Sequence, residues 1–96
     1  MEDDATTFHK NDYSWNREAN MVYIESPAGV GYSYCANMST CNFTDESSSI
    51  GNLNAVLSLF TKFPEYNKSD LYIAGESYAG VYVTYLAYQI DHYNAK

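Results

Sequence analysis

Ser77 is the residue of this chain whose surroundings best suit nucleophilic chemistry. It lies in residues 75–80 (Gly-Glu-Ser-Tyr-Ala-Gly), after a short apolar run over residues 71–74 and before a longer one over residues 81–90. A serine on a sharp turn between a strand and a helix is a nucleophile elbow, which exposes the hydroxyl for attack on a carbonyl carbon. The pattern therefore makes Ser77 a candidate nucleophile.

The residues around Ser77 meet the steric demand of such a turn. Side chains two positions before and after the serine would collide with neighbouring backbone, and Gly75 and Ala79 occupy these positions, followed by Gly80. An ordinary Gly-Ser turn has the same short pattern, so the stretch alone does not separate the two interpretations. The rest of the chain has to decide between them.

Length and composition limit the classes of partner. A chain of 96 residues with 46% hydrophobic content fits one small domain. Its net charge of −7 argues against nucleic acid or an anionic membrane surface as partner, because both require basic patches. No apolar run approaches the roughly 18 residues of a spanning helix. We expect no nucleic-acid or membrane partner, and the sequence does not indicate an oligomeric state.

The compartment is indicated by three Asn-x-Ser/Thr sequons, at Asn37, Asn42 and Asn67. All three lie in predicted loops, where N-glycosylation takes place in secreted proteins. We therefore expect the secretory pathway, with a lysosomal, vacuolar or secreted destination. Residues 1–4 are acidic and precede no apolar segment, so we expect no signal peptide here but a start within a longer protein.

The two cysteines, Cys35 and Cys41, are six positions apart in a polar loop over residues 35–44. They form either a local disulfide, which an oxidising compartment favours, or two thiols that are free or separately paired. Their spacing does not match a zinc site, and neither histidine lies nearby. We expect no metal and no cofactor.

A helix is predicted from Thr44 or Asp45 to the residue before Pro64, because a capping residue opens this segment and proline ends it. Apolar residues recur along it at helical spacing, which predicts one face directed at a core. This predicted apolar face comprises Ile50, Leu53, Leu57 and Phe60, widened by Val56 and Phe63.

The remaining elements predict an α/β fold. The β-rich runs over residues 21–25 and 71–74 are predicted strands, and a strand–helix–strand unit of this length implies parallel pairing. The predicted class is a partial α/β-hydrolase fold: strand, helix, strand, nucleophile elbow and helix. Residues 1–96 would be one part of a single domain, with an irregular segment over residues 1–20 and a βαβα unit over residues 21–91.

Several longer motifs in one order carry a resemblance. Residues 13–16 (Tyr-Ser-Trp-Asn), 25–34 (Glu-Ser-Pro-Ala-Gly-Val-Gly-Tyr-Ser-Tyr), 63–66 (Phe-Pro-Glu-Tyr) and 71–82, which include the Ser77 turn, resemble the serine carboxypeptidase family. The likeness extends over about residues 13–88 and includes the cathepsin A and carboxypeptidase Y type of this family. Two glycines in the second motif also occur in phosphate loops, but the third glycine of that fingerprint is missing.

The resemblance implies roles for three neighbouring residues. Ser77 would be the nucleophile, the backbone N–H of Tyr78 would bind the developing oxyanion, and a protonated Glu76 would hold the terminal carboxyl group of the substrate. Without the resemblance, Glu76 is better explained by a solvated or helix-capping glutamate. The chain departs from the family at Thr84, where proline is usual.

The chain does not provide a complete catalytic triad. The family's Asn-Gly-Gly-Pro-Gly stretch is expected before residue 1, and its catalytic aspartate and histidine beyond residue 96. Asp91 and His92 follow Ser77 in the right order. A helix that rises ~1.5 Å per residue would, however, place His92 roughly 22 Å from the serine. We therefore expect the isolated chain to be inactive and at best marginally folded.

The resemblance implies a serine-type carboxypeptidase that acts on the C-termini of peptides and proteins through an acyl-enzyme at Ser77. Two alternatives share these residues. Some plant relatives of the family are acyltransferases, which pass the acyl group to an alcohol instead of water. A non-catalytic relative used for binding or protection is the other.

Overall fold

The computed structural model describes residues 3–96, in which two α-helices are the main elements. Helix α1 is Asp45–Lys62 and helix α2 is Ala79–Asn94. Three short 3₁₀ turns complete the regular structure, at Trp15–Arg17, Met38–Thr40 and Pro64–Tyr66. Met1 and Glu2, which belong to the predicted irregular segment over residues 1–20, lie outside the described residues.

Helix α1 begins with a capping box, because the side chains of Thr44 and Ser47 each accept a hydrogen bond from the other's backbone N–H, at 3.1 and 2.9 Å. Asp45 and Glu46 lie in the first turn, where carboxylates favour the positive end of the helix dipole. The helix ends immediately before Phe63 and Pro64. The predicted bounds of this helix are confirmed.

Helix α2 begins directly after the Ser77 turn, as predicted, and extends beyond the apolar run over residues 81–90 at both ends. The Thr84 hydroxyl donates to the carbonyl of Gly80 at 2.8 Å, so this residue satisfies its polar group within the helix. At the other end the N–H of Ala95 donates to the carbonyl of Asp91.

The predicted α/β class is wrong, because the structure contains no strand between residues 3 and 96. The predicted strands over residues 21–25 and 71–74 have no regular secondary structure. Within the described chain, no backbone hydrogen bond joins the two segments. Their aromatic side chains point to solvent: Tyr23 is 80% exposed and Tyr72 is 86% exposed.

The physical reason lies in the difference between helices and strands. An α-helix satisfies its backbone groups within one segment, whereas a strand exists only through a hydrogen-bonded ladder with a neighbour. The apolar runs at residues 21–25 and 71–74 have the composition of strands, yet they do not pair with each other. Of the predicted βαβα unit over residues 21–91, the helices are present and the strands are not.

Burial on α1 agrees with the predicted apolar face only in part. The two helices pack against each other, and the buried positions of α1 are Ser48, Ser49, Asn52 and Val56. The buried Ser49 hydroxyl donates to the carbonyl of Glu46 at 2.6 Å, so its polar group is satisfied within the helix. Of the predicted apolar face, Val56 is buried, whereas Ile50 is 46% exposed. The other helix positions of that face, Leu53, Leu57 and Phe60, are half-buried. Nearest neighbours in the fold therefore decide which stripe is covered.

A disulfide lies in the loop before α1. It joins Cys35 and Cys41, whose Cα atoms are 6.3 Å apart, and it precedes the cap of α1.

The hydrophobic core is small. Val56 and Leu86 are the buried hydrophobic residues of the described chain. Neither α1 nor α2 has the length and apolar character of a membrane-crossing helix.

Candidate active site

The backbone at Ser77 has a positive φ of 58°, in the left-handed region that residues with a Cβ normally avoid. This conformation costs about 1–2 kcal/mol for a residue other than glycine. The side chain is exposed, and Ser77 directly precedes Tyr78, the N-cap residue of α2. A strained, exposed serine at a helix N-terminus has the geometry that a nucleophile elbow requires.

Gly75 lies against the first turns of α2. A β-carbon built on Gly75 would be 2.6 Å from the Cβ of Ala79 and 3.0 Å from Cγ2 of Val83, and neither distance leaves room for a methyl group. Gly80, in contrast, has open space around the same position. Crowding against α2 therefore requires a small residue at position 75, whereas no such requirement applies at Gly80.

The hydrogen bonds of the turn leave two useful donors unpaired. The carbonyls of Glu76 and Ser77 accept from the N–H groups of Ala79 and Gly80, both at 3.0 Å. The N–H of Tyr78 donates to no group in the described chain, and neither does the Ser77 hydroxyl. Both lie at the positive end of α2, where a developing negative charge is stabilised.

The side chain of Tyr78 is fixed by contacts outside the turn. Its hydroxyl donates to both carboxylate oxygens of Asp45, each at 3.1 Å, and its ring meets the Tyr82 ring edge-on at a centroid distance of 5.2 Å. The hydrogen bond to Asp45, and then the negative charge of that residue, raise the pKa of the Tyr78 phenol. The sequence indicates Asp45 only as a helix-start residue, because no local pattern links positions 33 residues apart.

Glu76 lies next to the nucleophile with an exposed side chain. Its backbone carbonyl accepts from Ala79, but its carboxylate has no hydrogen-bond partner in the described chain. The capping alternative for Glu76 has no support here, since α2 has no side-chain cap. Its predicted role in holding a substrate carboxyl group stays a prediction.

Asp91 and His92 do not reach Ser77. Both are part of the continuous helix α2, as the sequence predicts, so the estimate of roughly 22 Å between His92 and the serine applies. The His92 ring stacks on Tyr88, with ring centroids 6.2 Å apart. No acid or histidine of the described chain is hydrogen-bonded to Ser77, and no group of three or more potential metal ligands occurs in it.

The glycine-containing loop over residues 27–34 is organised by Glu25. The Glu25 carboxylate accepts a hydrogen bond from the N–H of Tyr32, and its carbonyl accepts from the Ser33 hydroxyl at 2.7 Å. Gly31 has a φ of 57°, and a Cβ there would collide with the Glu25 carboxyl group. A carboxylate thus occupies this loop, which is unfavourable for binding a phosphate.

The candidate glycosylation sites Asn37, Asn42 and Asn67 are all exposed. Asn37 lies within the disulfide-closed loop, where its side-chain oxygen accepts from the hydroxyl of Ser39 at 2.7 Å and from the N–H of the same residue at 3.1 Å. The sequons are thus accessible to a modifying enzyme, and their modification stays a prediction.

Comparison with known proteins identifies the family to which this chain is similar. A family model described as serine carboxypeptidase matches residues 1–96. The chain is 46% identical over 90 residues to the serine carboxypeptidase ctsa-4.1 of Caenorhabditis elegans, covering 94% of this chain and 19% of that protein. It is 44% identical over 91 residues to serine carboxypeptidase 24 of Arabidopsis thaliana, covering 94% of this chain and 20% of the relative.

A third relative, serine carboxypeptidase-like 22 of Arabidopsis thaliana, is 47% identical over 85 residues, which cover 88% of this chain and 18% of the relative. The chain therefore spans about a fifth of the length of the curated relatives that it matches. The resemblance inferred from the ordered motifs around Ser77 is confirmed, and the chain belongs to the serine carboxypeptidase family.

Proposed function

We propose that the protein to which this chain belongs is a serine-type carboxypeptidase, which removes residues from the C-termini of peptides and proteins. The observation that supports this most directly is the positive φ of Ser77 at the start of α2, beside the unpaired N–H of Tyr78. Family membership supports the same reaction class, and the whole protein's activity is part of the proposal.

In the proposed first step, the Ser77 oxygen attacks the carbonyl carbon of the last peptide bond while a base removes the hydroxyl proton. The N–H of Tyr78 donates to the oxyanion that forms, and the positive end of α2 stabilises the same charge. The C–N bond then breaks, the amino acid leaves with a proton, and water later hydrolyses the acyl-enzyme. A protonated Glu76 holds the terminal carboxyl group of the substrate, because two carboxylates would repel each other.

The base and a second oxyanion donor come, in this proposal, from parts of the whole protein outside residues 1–96. An unassisted serine is a weak nucleophile, since its activation depends on an adjacent base. The 96-residue chain alone should therefore react slowly with electrophiles, in spite of its elbow geometry. Rapid labelling of the isolated chain at Ser77 would contradict this part of the proposal.

The test uses the whole protein, expressed from the transcript that contains this chain. It is incubated with a blocked dipeptide and, separately, with a fluorophosphonate probe, with Ser77→Ala as the inactive variant. Ser58→Ala is the matched control, because Ser58 is an exposed serine on α1 away from the turn. We expect release of the terminal amino acid and labelling for the wild type and Ser58→Ala only. Activity that survives in Ser77→Ala would exclude Ser77 as nucleophile.

The acyltransferase alternative uses the same nucleophile and oxyanion donor, and "serine carboxypeptidase-like" names among the relatives motivate it. Supplying an acyl-glucose ester with an alcohol acceptor separates the two reactions, because only an acyltransferase forms the new ester faster than it hydrolyses the donor. A whole protein that neither reacts with the probe nor turns over either substrate would instead be the non-catalytic relative.

We also propose that the protein passes through the secretory pathway, to a lysosomal, vacuolar or secreted destination. The Cys35–Cys41 disulfide and the three exposed sequons support this, because both modifications belong to that compartment. Endoglycosidase treatment of the protein from its native source should increase its electrophoretic mobility. No mobility change, together with free thiols at both cysteines, would contradict the proposal.

A further inference from the structure

We infer that Asp45 is a positioning residue for the Ser77 turn: its carboxylate holds the hydroxyl of Tyr78 and so fixes the backbone N–H that receives the oxyanion. The inference rests on the proposed function, because it assigns a part in that reaction to a residue on a different helix. It adds a contact between the first turn of α1 and the start of α2 to the local geometry of the elbow.

The geometry of the contact is specific. The Tyr78 hydroxyl lies 3.1 Å from each carboxylate oxygen of Asp45, across a sequence separation of 33 residues. Asp45 is the first residue of α1, and Tyr78 is the N-cap residue of α2. The hydrogen bond therefore ties the starts of the two helices together at the nucleophile.

Helix α2 has no side-chain cap of its own that could fix its first residues. Tyr78 occupies the N-cap position with a φ of −60°, and its side chain makes no capping hydrogen bond to the helix. The ring is instead held at two points, by the edge-on contact with Tyr82 and by the hydroxyl contact with Asp45. With both in place, rotation of the Tyr78 side chain is restricted, and so is movement of the backbone that carries the oxyanion donor.

This restriction matters because Ser77 is in a strained conformation that neighbouring contacts must maintain. Oxyanion stabilisation depends on a donor within about 0.5 Å of its productive position. A turn that relaxes by a fraction of an ångström would keep the fold but lose part of the rate acceleration.

Asp45 is itself well held. The reciprocal hydrogen bonds between Thr44 and Ser47 fix the first turn of α1, in which Asp45 is the first residue. A phenol that donates to an ionised carboxylate makes a stronger hydrogen bond than one between neutral groups. The raised pKa of Tyr78 agrees with this contact, since its largest cause is the hydrogen bond to Asp45.

Glu46 offers a matched control. It is the next acidic residue in the same first turn of α1, it is exposed, and its carboxylate makes no hydrogen bond in the described chain. Glu46→Ala therefore removes the same charge from the same helix end without touching Tyr78. A role of Asp45 in helix stability alone would be shared by Glu46, whereas a role at the turn would not.

The experiment measures kcat, KM and the rate of fluorophosphonate inactivation for the whole protein and for Asp45→Ala, Asp45→Asn, Tyr78→Phe and Glu46→Ala. We expect Asp45→Ala and Tyr78→Phe each to lower kcat and the inactivation rate on the order of tenfold, with KM changed by less than about twofold. Asp45→Asn should restore part of the loss, because its side-chain oxygen still accepts from the phenol. Glu46→Ala should match the wild type.

The double variant Asp45→Ala/Tyr78→Phe should be no slower than either single variant, because both remove the same hydrogen bond. If Asp45→Ala is poorly folded, Tyr78→Phe alone tests the role of the hydrogen bond, since this variant removes one hydroxyl and keeps the ring and the backbone N–H. The inference is wrong if an active wild type keeps its kcat in Tyr78→Phe, or if Glu46→Ala loses as much as Asp45→Ala. A wild type with no activity and no labelling overturns the proposed function instead, which keeps the two failures apart.

Discussion

Gly75 and Ala79 are in such close contact that a β-carbon on Gly75 would lie 2.6 Å from the Cβ of Ala79. The segment entering the Ser77 turn therefore passes directly over the first turn of α2. This contact and the positive φ of Ser77 together define a sharp turn at the start of α2, at which the N–H of Tyr78 is left without a partner in the described chain.

The first prediction concerns this contact. Gly75→Ala should destabilise the whole protein by about 1–3 kcal/mol, because the added methyl group must displace Ala79 or Val83. It should also slow fluorophosphonate labelling. Gly80→Ala is the control: its β-carbon has open space and lies in a helix, so stability should be unchanged or rise by up to ~1 kcal/mol. Equal thermal stability of the two variants would contradict the crowding.

The second prediction concerns strain at Ser77. Relief of the left-handed conformation by glycine gains about 1–2 kcal/mol, while the additional chain entropy of glycine costs about 0.5–1 kcal/mol. Ser77→Gly should therefore be more stable than Ser77→Ala by about 0.5–1 kcal/mol, although both are inactive. Denaturant unfolding of the two variants measures the difference, and a less stable glycine variant would show that the turn is not strained.

The third prediction concerns the ionisation of Tyr78. Its pKa lies above the ordinary 10.0, because the hydroxyl donates to Asp45 and the carboxylate repels a phenolate. A raised folded-state pKa means that the contact stabilises the fold fully below pH 10 and is lost as the pH rises through the folded-state value. The difference in absorbance at 295 nm between wild type and Tyr78→Phe reports this titration. In Asp45→Ala the midpoint should return towards 10.0, and an unchanged midpoint would argue against the hydrogen bond.

The fourth prediction concerns the start of α1. Thr44→Ala removes the acceptor for the N–H of Ser47 and should cost about 1 kcal/mol of stability, measured by thermal unfolding. Thr61→Ala is the control, since the Thr61 hydroxyl only donates to the carbonyl of Leu57 within the helix. We expect a change near zero for that variant. A similar loss of stability in both variants would mean that the Thr44 cap contributes no more to stability than an ordinary threonine of the helix.

The features that local sequence determined are those whose cause is also local. Thr44 and Pro64 set the bounds of α1 through capping and a missing donor, and these bounds are confirmed. The requirement for small residues around Ser77 likewise follows from backbone sterics over a few positions. Ordered motifs along the chain were enough to recognise the family.

Relationships between distant segments were decided only by the tertiary structure. The runs over residues 21–25 and 71–74 have strand-like composition but no partner, because a ladder needs a second chain segment at hydrogen-bonding distance. The buried stripe of α1 runs through Ser49 and Asn52 instead of Ile50, since packing partners choose the covered face. The hydrogen bond from Tyr78 to Asp45 spans 33 residues, and no periodicity within either helix encodes it.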